Sequence, residues 1–330
     1  PSLAPALGPL VSRRTREWLV TKVVDVTDVY DEFSYGAKDP AAIREFLRSA
    51  ASLWTYAPRY VLLLGDASFD PRNHLGLGSL DLVPTAFVPT KYLMTASDDA
   101  LADVAGTSEP SLAIGRLPAR SLAEAERMLG KVLARSVSPP SPGVLLAADA
   151  TDGFDFAAAT REIAAALPAS VPRQIVDGSA LATPALRAAL VQALQAGPAW
   201  AAWVGHGSEA TLGKSTVFGG ADALALTNAT PMFFVAADCL NGFFQDVYGE
   251  SLAESLLKAP NGGAAAVWAS SGLTEPAPQA EMTKAFFAAV FGPPAPPRLG
   301  DAVLAAKRAI ADRDVKRTWI LLGDPGMRAR

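Results

Sequence analysis

The sequence predicts an α/β protein in two subdomains, built on mostly parallel sheets flanked by helices. Short apolar runs alternate along the chain with segments of helical periodicity. The runs are continuously apolar rather than alternating, as strands covered on both faces are. A proline-rich stretch, Ser136-Val-Ser-Pro-Pro-Ser-Pro-Gly143, divides the 330 residues into two parts, each long enough for its own sheet. The predicted organisation is an amino-terminal subdomain over 1–136, a linker over 137–143 and a second subdomain over 144–330.

In chain order, Val20–Val26 reads as a strand. Asp39 and Pro40 open a helix to about Ser52, with an N-cap carboxylate and a proline whose missing N–H is not needed in the first turn. Strands follow at Tyr60–Leu64 and Leu112–Ile114. Ser121–Ala134 is a helix with a Ser121/Glu124 capping box and Leu122, Met128, Leu129 and Val132 on one side. Beyond the linker the predicted strands are Val144–Ala148, Arg173–Val176, Ala199–Val204, Met232–Ala237, Ala264–Ala269 and Trp319–Leu322. Between them lie helices at Phe156–Leu167, Thr183–Gln195, Ser251–Lys258, Gln279–Phe291 and Gly300–Arg313. Pro293–Pro297 reads as a surface loop, and no fixed-period repeat is present.

Composition narrows the function classes. Half the residues are apolar, 19% are charged and the formal net charge is −4, which argues against disorder and against a nucleic-acid or anionic-membrane surface. The longest apolar runs, Pro231–Ala237 and Gly263–Ala269, are far short of the roughly 20 residues that span a bilayer. One cysteine excludes an internal disulfide, and one cysteine with two histidines cannot build a Cys/His zinc cluster. The sequence opens at Pro1 rather than Met, as a trimmed or excised segment of a longer protein would.

Two strand ends hold the chemistry. Trp203-Val-Gly-His-Gly-Ser-Glu209 places His206 at the carboxyl edge of a buried strand, where open α/β sheets bind ligands. Met232-Phe-Phe-Val-Ala-Ala-Asp-Cys-Leu-Asn-Gly242 places Cys239, the only cysteine, at a second such junction. A lone cysteine is more often a small buried hydrophobe, and a histidine between glycines can simply be part of a turn. Parallel neighbours end on the same side, however, and an imidazole beside a thiol is what thiolate chemistry requires. Of the other residues, His74 in Arg72-Asn-His-Leu-Gly76 reads as surface and Glu209 as solvated.

The pair Gly205-His-Gly-Ser-Glu209 and Ala237-Asp-Cys-Leu-Asn-Gly242, with Cys239 33 positions after His206, resembles the gingipain-type cysteine peptidase family of the caspase-like clan. Val23-Val-Asp-Val-Thr-Asp-Val-Tyr-Asp-Glu-Phe-Ser-Tyr-Gly36, Leu62-Leu-Leu-Gly-Asp-Ala-Ser-Phe-Asp70, Ala96-Ser-Asp-Asp99 and Ile114-Gly-Arg-Leu-Pro118 are similar to its amino-terminal subdomain. Leu322-Gly-Asp-Pro325 is similar to the end of its catalytic domain.

The resemblance implies a caspase/gingipain-like fold and an endopeptidase, with Cys239 as nucleophile, His206 as general acid/base and the N–H groups of Gly207 and Cys239 as oxyanion hole. It implies a carboxylate beside the histidine, best matched by Asp149. Asp155 matches the acid at the floor of the S1 pocket of members that cleave after Arg or Lys, and equally reads as the N-cap of the following helix. The segment Gly272–Pro278 matches the pocket wall but lacks the aromatic residue of some members. Asp238 replaces the small residue common before the nucleophile; on alternation it faces away from the thiol, and facing it would raise the thiol pKa.

Arg116 is expected to form a structural ion pair between the subdomains. No cofactor is expected for the chemistry; structural Ca²⁺ is a possibility the family suggests, with Asp66, Asp70, Asp98, Asp99 and Asp103 as candidate ligands. The implied partners are protein or peptide substrates, without nucleic acid, and the implied location is secreted or at the surface of a bacterial cell. Two alternatives stay open: a sortase-like transpeptidase that passes the acyl group to an amine, and a catalytically idle binding or assembly domain on the same fold.

Overall fold

The computed structural model describes residues 2–78, 80–137, 143–294 and 298–329. After a short 3-10 turn at Ala4–Leu7 come helices α1 (Gly8–Arg16), α2 (Val26–Ser34) and α3 (Pro40–Leu53), then β1 (Tyr60–Leu64), β2 (Ala86–Pro89) and β3 (Met94–Ser97). α4 (Asp99–Ala102), β4 (Ala113–Leu117) and α5 (Leu122–Val137) complete the amino-terminal part. The rest runs β5 (Val144–Ala148), α6 (Phe156–Ala166), β6 (Arg173–Asp177), α7 (Thr183–Gln195), β7 (Trp200–Val204), β8 (Thr211–Leu212), β9 (Phe218–Gly219) and α8 (Gly220–Leu224). It closes with β10 (Met232–Ala237), α9 (Leu252–Lys258), β11 (Ala264–Ser270), α10 (Pro276–Phe291), α11 (Leu299–Arg308), α12 (Arg313–Thr318) and β12 (Trp319–Leu322).

Eight strands form one sheet in the order β1-β4-β12-β11-β10-β7-β5-β6. The strands from β11 to β6 are mutually parallel, as are β1, β4 and β12, and the two blocks meet in the antiparallel β11–β12 pair. The separate sheets expected for the two halves are therefore a single sheet. The physical reason is the last strand, which inserts between β11 and β4 with Leu322 opposite Arg116. Gly115 permits this approach, since a Cβ there would lie 2.3 Å from the Gly323 carbonyl oxygen. Residues 138–142, most of the expected linker, lie outside the described residues, as do 295–297 of the second proline-rich loop.

Other expectations need correction. Val20–Val26 forms no strand. Asp25 caps α2 by accepting from Thr27 N–H at 3.0 Å, and Val29 and Tyr30 turn inward with helical rather than strand periodicity. The helix predicted over Gly300–Arg313 ends at Arg308, and a separate helix α12 begins at Arg313, capped by Asp312, which accepts from Val315 N–H at 2.8 Å. The antiparallel β2–β3 hairpin was not legible, its strands being only four residues long.

The main core lies along β10, β7 and β11. Trp200, Phe233, Phe286 and Phe287 form a continuous aromatic packing between those strands and α10. Each such buried ring contributes roughly 1.5–3 kcal/mol. A smaller cluster, with Tyr30, Ile43, Leu47, Leu63 and Ile114, packs α2 and α3 on β1 and β4.

Arg116 is fully buried at the end of β4. Its Nε and Nη2 donate to the two oxygens of Asp98 at 2.8 and 2.7 Å, and Nη1 donates to the carbonyls of Gly65 and Val83, each at 2.7 Å. The ion pair thus lies within the amino-terminal part rather than between the halves; its link to the second half is the Phe244 ring, 5.0 Å from the guanidinium. Arg116→Met should lower the unfolding free energy by about 3–5 kcal/mol in denaturant titration, because it leaves Asp98 buried without its cation. A loss below about 1 kcal/mol would show that Asp98 finds another partner.

Candidate active site

β7 and β10 are parallel neighbours with Val204 opposite Ala237, and β5 lies on the other side of β7 with Ala148 opposite Val204. Three chain segments therefore leave the sheet side by side at one edge. Asp149 follows β5 directly, and His206 and Cys239 each come two residues beyond their strands.

Beyond β7 the chain folds back on itself through the bridge Gly207–Leu212. The His206 carbonyl accepts from Gly213 N–H at 2.8 Å and from Trp203 Nε1 at 3.0 Å, and Ser208 N–H donates to the Thr211 carbonyl at 3.0 Å. In such a pair the bonds come from the flanking residues, so the N–H of Gly207 itself points out of the ribbon. Beyond β10, Leu240 adopts a left-handed φ of 65°, a conformation that costs a non-glycine residue about 1 kcal/mol. The Cys239 carbonyl accepts from Asn241 N–H at 2.9 Å across this tight turn. Asn241 ties the two turns together, its Nδ2 donating to the carbonyls of Ser208 and Thr211.

The thiol lies beside Thr274. Thr274 N–H donates to Sγ, and Sγ donates to the Thr274 carbonyl, both at 3.5 Å. Burial pushes the Cys239 pKa up; the Thr274 N–H opposes this, and negative charge on Asp238 or Glu275 adds to it. The strip carrying Thr274 is held from the amino-terminal part. Thr95 of β3 donates to the Ser271 carbonyl at 2.5 Å, Ser271 Oγ donates to the Ala96 carbonyl at 2.6 Å, and Lys91 pairs with Glu275 at 2.8 Å.

The imidazole of His206 stands edge-on to Phe156, with ring centroids 5.2 Å apart. Its Nε2 lies 3.4 Å from Oδ2 of Asp152, an ion-pair distance without hydrogen-bond alignment, and has no hydrogen-bond partner among the described residues. Lys214, 2.8 Å from the same oxygen, holds the Asp152 carboxyl below the usual range. Asp149 does not meet the ring. Its Oδ2 accepts from the backbone N–H of His206 at 3.1 Å and its Oδ1 from Ala150 N–H at 2.8 Å, so it holds the turn and not the imidazole.

The structure thus brings His206, Gly207, Cys239 and Asp149 to one edge. Asp155 caps α6, accepting from Ala158 N–H at 2.8 Å, and also lines a groove of 310 Å³ between α6 and α10 with Phe154, Glu162, Glu281 and Lys284. Phe154 and Phe156 connect that groove to His206, their ring centroids 5.3 Å apart.

The five aspartates considered for calcium do not converge. Asp66 pairs with Arg120 at 2.6 Å and Asp98 with Arg116 at 2.7 Å, while Asp99 pairs with Lys307. Asp70 and Asp103 accept backbone N–H groups of their own loops, and among the described residues no three acidic, His or Cys side chains form a metal cluster. The donor set does not fit a cation that takes six to eight oxygens.

The sequence matches peptidase family C25 over residues 1–330. The chain belongs to that family. This C25 peptidase is a cysteine peptidase, a hydrolase. Its fold is similar to a complex of Porphyromonas gingivalis RgpB pro- and mature domains, at 18% identity and a TM-score of 0.80, covering 99% of this chain and 77% of that one. It is also similar to the Arg-specific cysteine proteinase gingipain R, at 19% identity and a TM-score of 0.73, covering 92% and 71% of the two chains. No curated protein matches the sequence. Among the described residues no helix is long and apolar enough to cross a membrane.

Three residues of the candidate site were missed by sequence reasoning. Asp152 lies in the loop between two other aspartates, and only the fold shows which of the three meets the ring. Asn241 was within the quoted cysteine motif, where a polar residue after a left-handed turn is a signal for a bridging amide. Thr274 acts through its backbone, which leaves no trace in residue type. A clearer constraint is Gly207: a Cβ there would lie 2.5 Å from Cγ of Asp238 and 2.8 Å from the Cys239 carbonyl oxygen. Gly207→Ala should therefore cost about 1–3 kcal/mol of stability through overpacking, read by chemical denaturation. An unaltered midpoint would mean that the turn relaxes freely.

Proposed function

We propose that this C25 peptidase is an endopeptidase working through a Cys239–His206 dyad and a thioester acyl-enzyme. The observation that carries the reading is the emergence of both residues at one sheet edge from adjacent parallel strands, with their turns tied by Asn241. In the first step His206 takes the thiol proton while Sγ attacks the scissile carbonyl carbon. The thiol is held protonated by burial until then, and the Thr274 N–H steadies the thiolate as it forms. The N–H groups of Gly207 and Cys239 receive the oxyanion, each worth about 3 kcal/mol in acyl transfer. Collapse of the tetrahedral intermediate breaks the C–N bond, and His206 delivers its proton to the leaving amine. His206 then draws a proton from water, whose oxygen attacks the thioester carbon and expels Sγ, and the imidazolium returns the proton to Sγ as the carboxylic acid leaves. Asp152 steadies the imidazolium through Nε2, and Asp149 fixes the backbone of the histidine turn.

The groove between α6 and α10, linked to His206 through the Phe154 and Phe156 rings, supports selectivity for Arg or Lys before the scissile bond, since its lining holds Asp155, Glu162 and Glu281 with one cation, Lys284. A guanidinium entering it gains charge-assisted hydrogen bonds, and its planar fork favours Arg over Lys. The reading also places the enzyme outside the cell or at its surface, as the gingipain resemblance implies.

Cys239→Ala should reduce peptide turnover to below about a hundredth of the parent rate while leaving the fold intact. His206→Ala should cost nearly as much, and the double variant hardly more, because the two act as one unit. Fully additive losses would refute the dyad. Asp155→Asn separates the two roles of that residue. Asn caps a helix as well as Asp, so the melting temperature should hold, whereas kcat/KM for Arg and Lys substrates should fall by about tenfold or more relative to matched Gln and Leu substrates. An unchanged preference profile would leave Asp155 a helix cap alone.

A further inference from the structure

The Gly205-His206-Gly207 turn rests on two acidic side chains, one on either side of the histidine. A Cβ on Gly205 would lie 2.5 Å from Cβ of Asp149, and one on Gly207 would lie 2.6 Å from Oδ2 of Asp238. Both acids are buried, at 5% and 1% exposure, which makes their shared environment expensive for charge. Their hydrogen bonding differs. Asp149 accepts two backbone N–H groups, from His206 and Ala150, whereas among the described residues neither oxygen of Asp238 has a hydrogen-bond partner. Two neighbouring buried carboxyl groups cannot readily both ionise, and the donors that would support a negative charge are all on Asp149.

We propose that Asp238 is carried as an uncharged carboxylic acid beneath the histidine turn and acts as a positioning residue for Cys239. It fills the space under Gly207 without placing negative charge beside the nucleophile, and its ionisation in alkaline solution weakens the centre. This rests on the dyad reading for its catalytic meaning, though not for the state of the acid itself.

The charged surroundings are consistent with this. From β5 the facing group is Asp149, and from the β7 turn it is His206, whose Nε2 meets Asp152, itself paired with Lys214. On its own turn the neighbour is Cys239. In the strip beyond β11, Glu275 acts on the thiol rather than on Asp238 and is paired with Lys91 and Tyr92. No cation among these touches Asp238. Burial, followed by the charge of Asp149, pushes the Asp238 pKa well above the ordinary aspartate value. The sign follows: below that raised pKa the site holds one charge fewer, and as the pH rises through it a negative charge appears next to Cys239. That charge raises the thiol pKa and removes thiolate.

The test reads the acid and the thiol separately. Protein labelled with 13C at the Asp carboxyl carbons is titrated by NMR from about pH 5 to about pH 9, where an ordinary aspartate stays ionised. The Asp238 resonance is assigned by its loss in Asp238→Asn, or in Asp238→Ser if the Asn variant does not fold. A resonance at the neutral-acid position at pH 7, moving only at higher pH, is the expected result; a carboxylate resonance at pH 6 overturns the proposal whatever the peptidase activity. In parallel, the rate of iodoacetamide capture of Cys239 is followed over the same range. The ratio of the rate at alkaline pH to that at neutral pH should rise about threefold or more in Asp238→Asn, the effect of removing half a unit of thiol pKa shift. An unchanged ratio overturns the positioning role. Neither measurement uses peptide turnover, so failure of the dyad reading would show separately in the Cys239→Ala and His206→Ala kinetics.

Discussion

The candidate centre depends on the parallel pairing of β7 with β10. Their register sets Val204 opposite Ala237, so the turns that follow begin at the same height and on the same edge. A slip of one residue would move every side chain of a strand to the other face. The strands are buried over their full length, with Trp203, Phe233 and Phe234 essentially inaccessible, and that burial holds the register. Above this base the turns have little freedom. Gly207 lies too close to Asp238 and the Cys239 carbonyl for any side chain, Asn241 spans from one turn to the other, and Leu240 is held at a left-handed φ.

The amino-terminal part contributes by bracing the strip that meets the thiol. The antiparallel β11–β12 seam lets the last strand bind β4, and this joins the two parts through one continuous set of backbone hydrogen bonds. The β2–β3 hairpin then grips the strip from Ser271 to Glu275 through Thr95, Ala96 and Lys91. Thr274 meets the thiol because of that grip, so residues nearly 150 positions before the cysteine set the environment of Sγ. The distribution of charge follows the same economy. Cations accompany several buried acids, as with Arg116 on Asp98 and Arg120 on Asp66, backbone N–H groups serve Asp149, and the carboxyl group of Asp238 under the histidine turn has no hydrogen-bond donor among the described residues.

Most of the fold was legible because its strands are continuous apolar runs and its helices carry local start signals. Met232–Ala237, Trp319–Leu322, Tyr60–Leu64 and Thr183–Gln195 fall where pattern and capping placed them. Val20–Val26 misled because a β-branched run reads as a strand on composition alone, whereas Asp25 capping and the spacing of Val29 and Tyr30 commit the following residues to a helix. The hairpin at Ala86–Ser97 is too short to show a period of its own.

The sequence by itself determined the class of fold and the two turns, because those follow from local periodicity and from a histidine and the only cysteine at strand ends. The local pattern already offered Asp155 as a helix cap, but the tasks of the other carboxylates were decided by tertiary structure. Asp149, Asp152, Asp155 and Asp238 are chemically identical in the sequence, yet one holds a backbone N–H, one meets the imidazole, one caps a helix beside a groove and one is buried without a donor among the described residues. The physical reason is that a carboxyl group takes its role from the donors and the solvent around it. Here those are supplied by segments far apart in the chain.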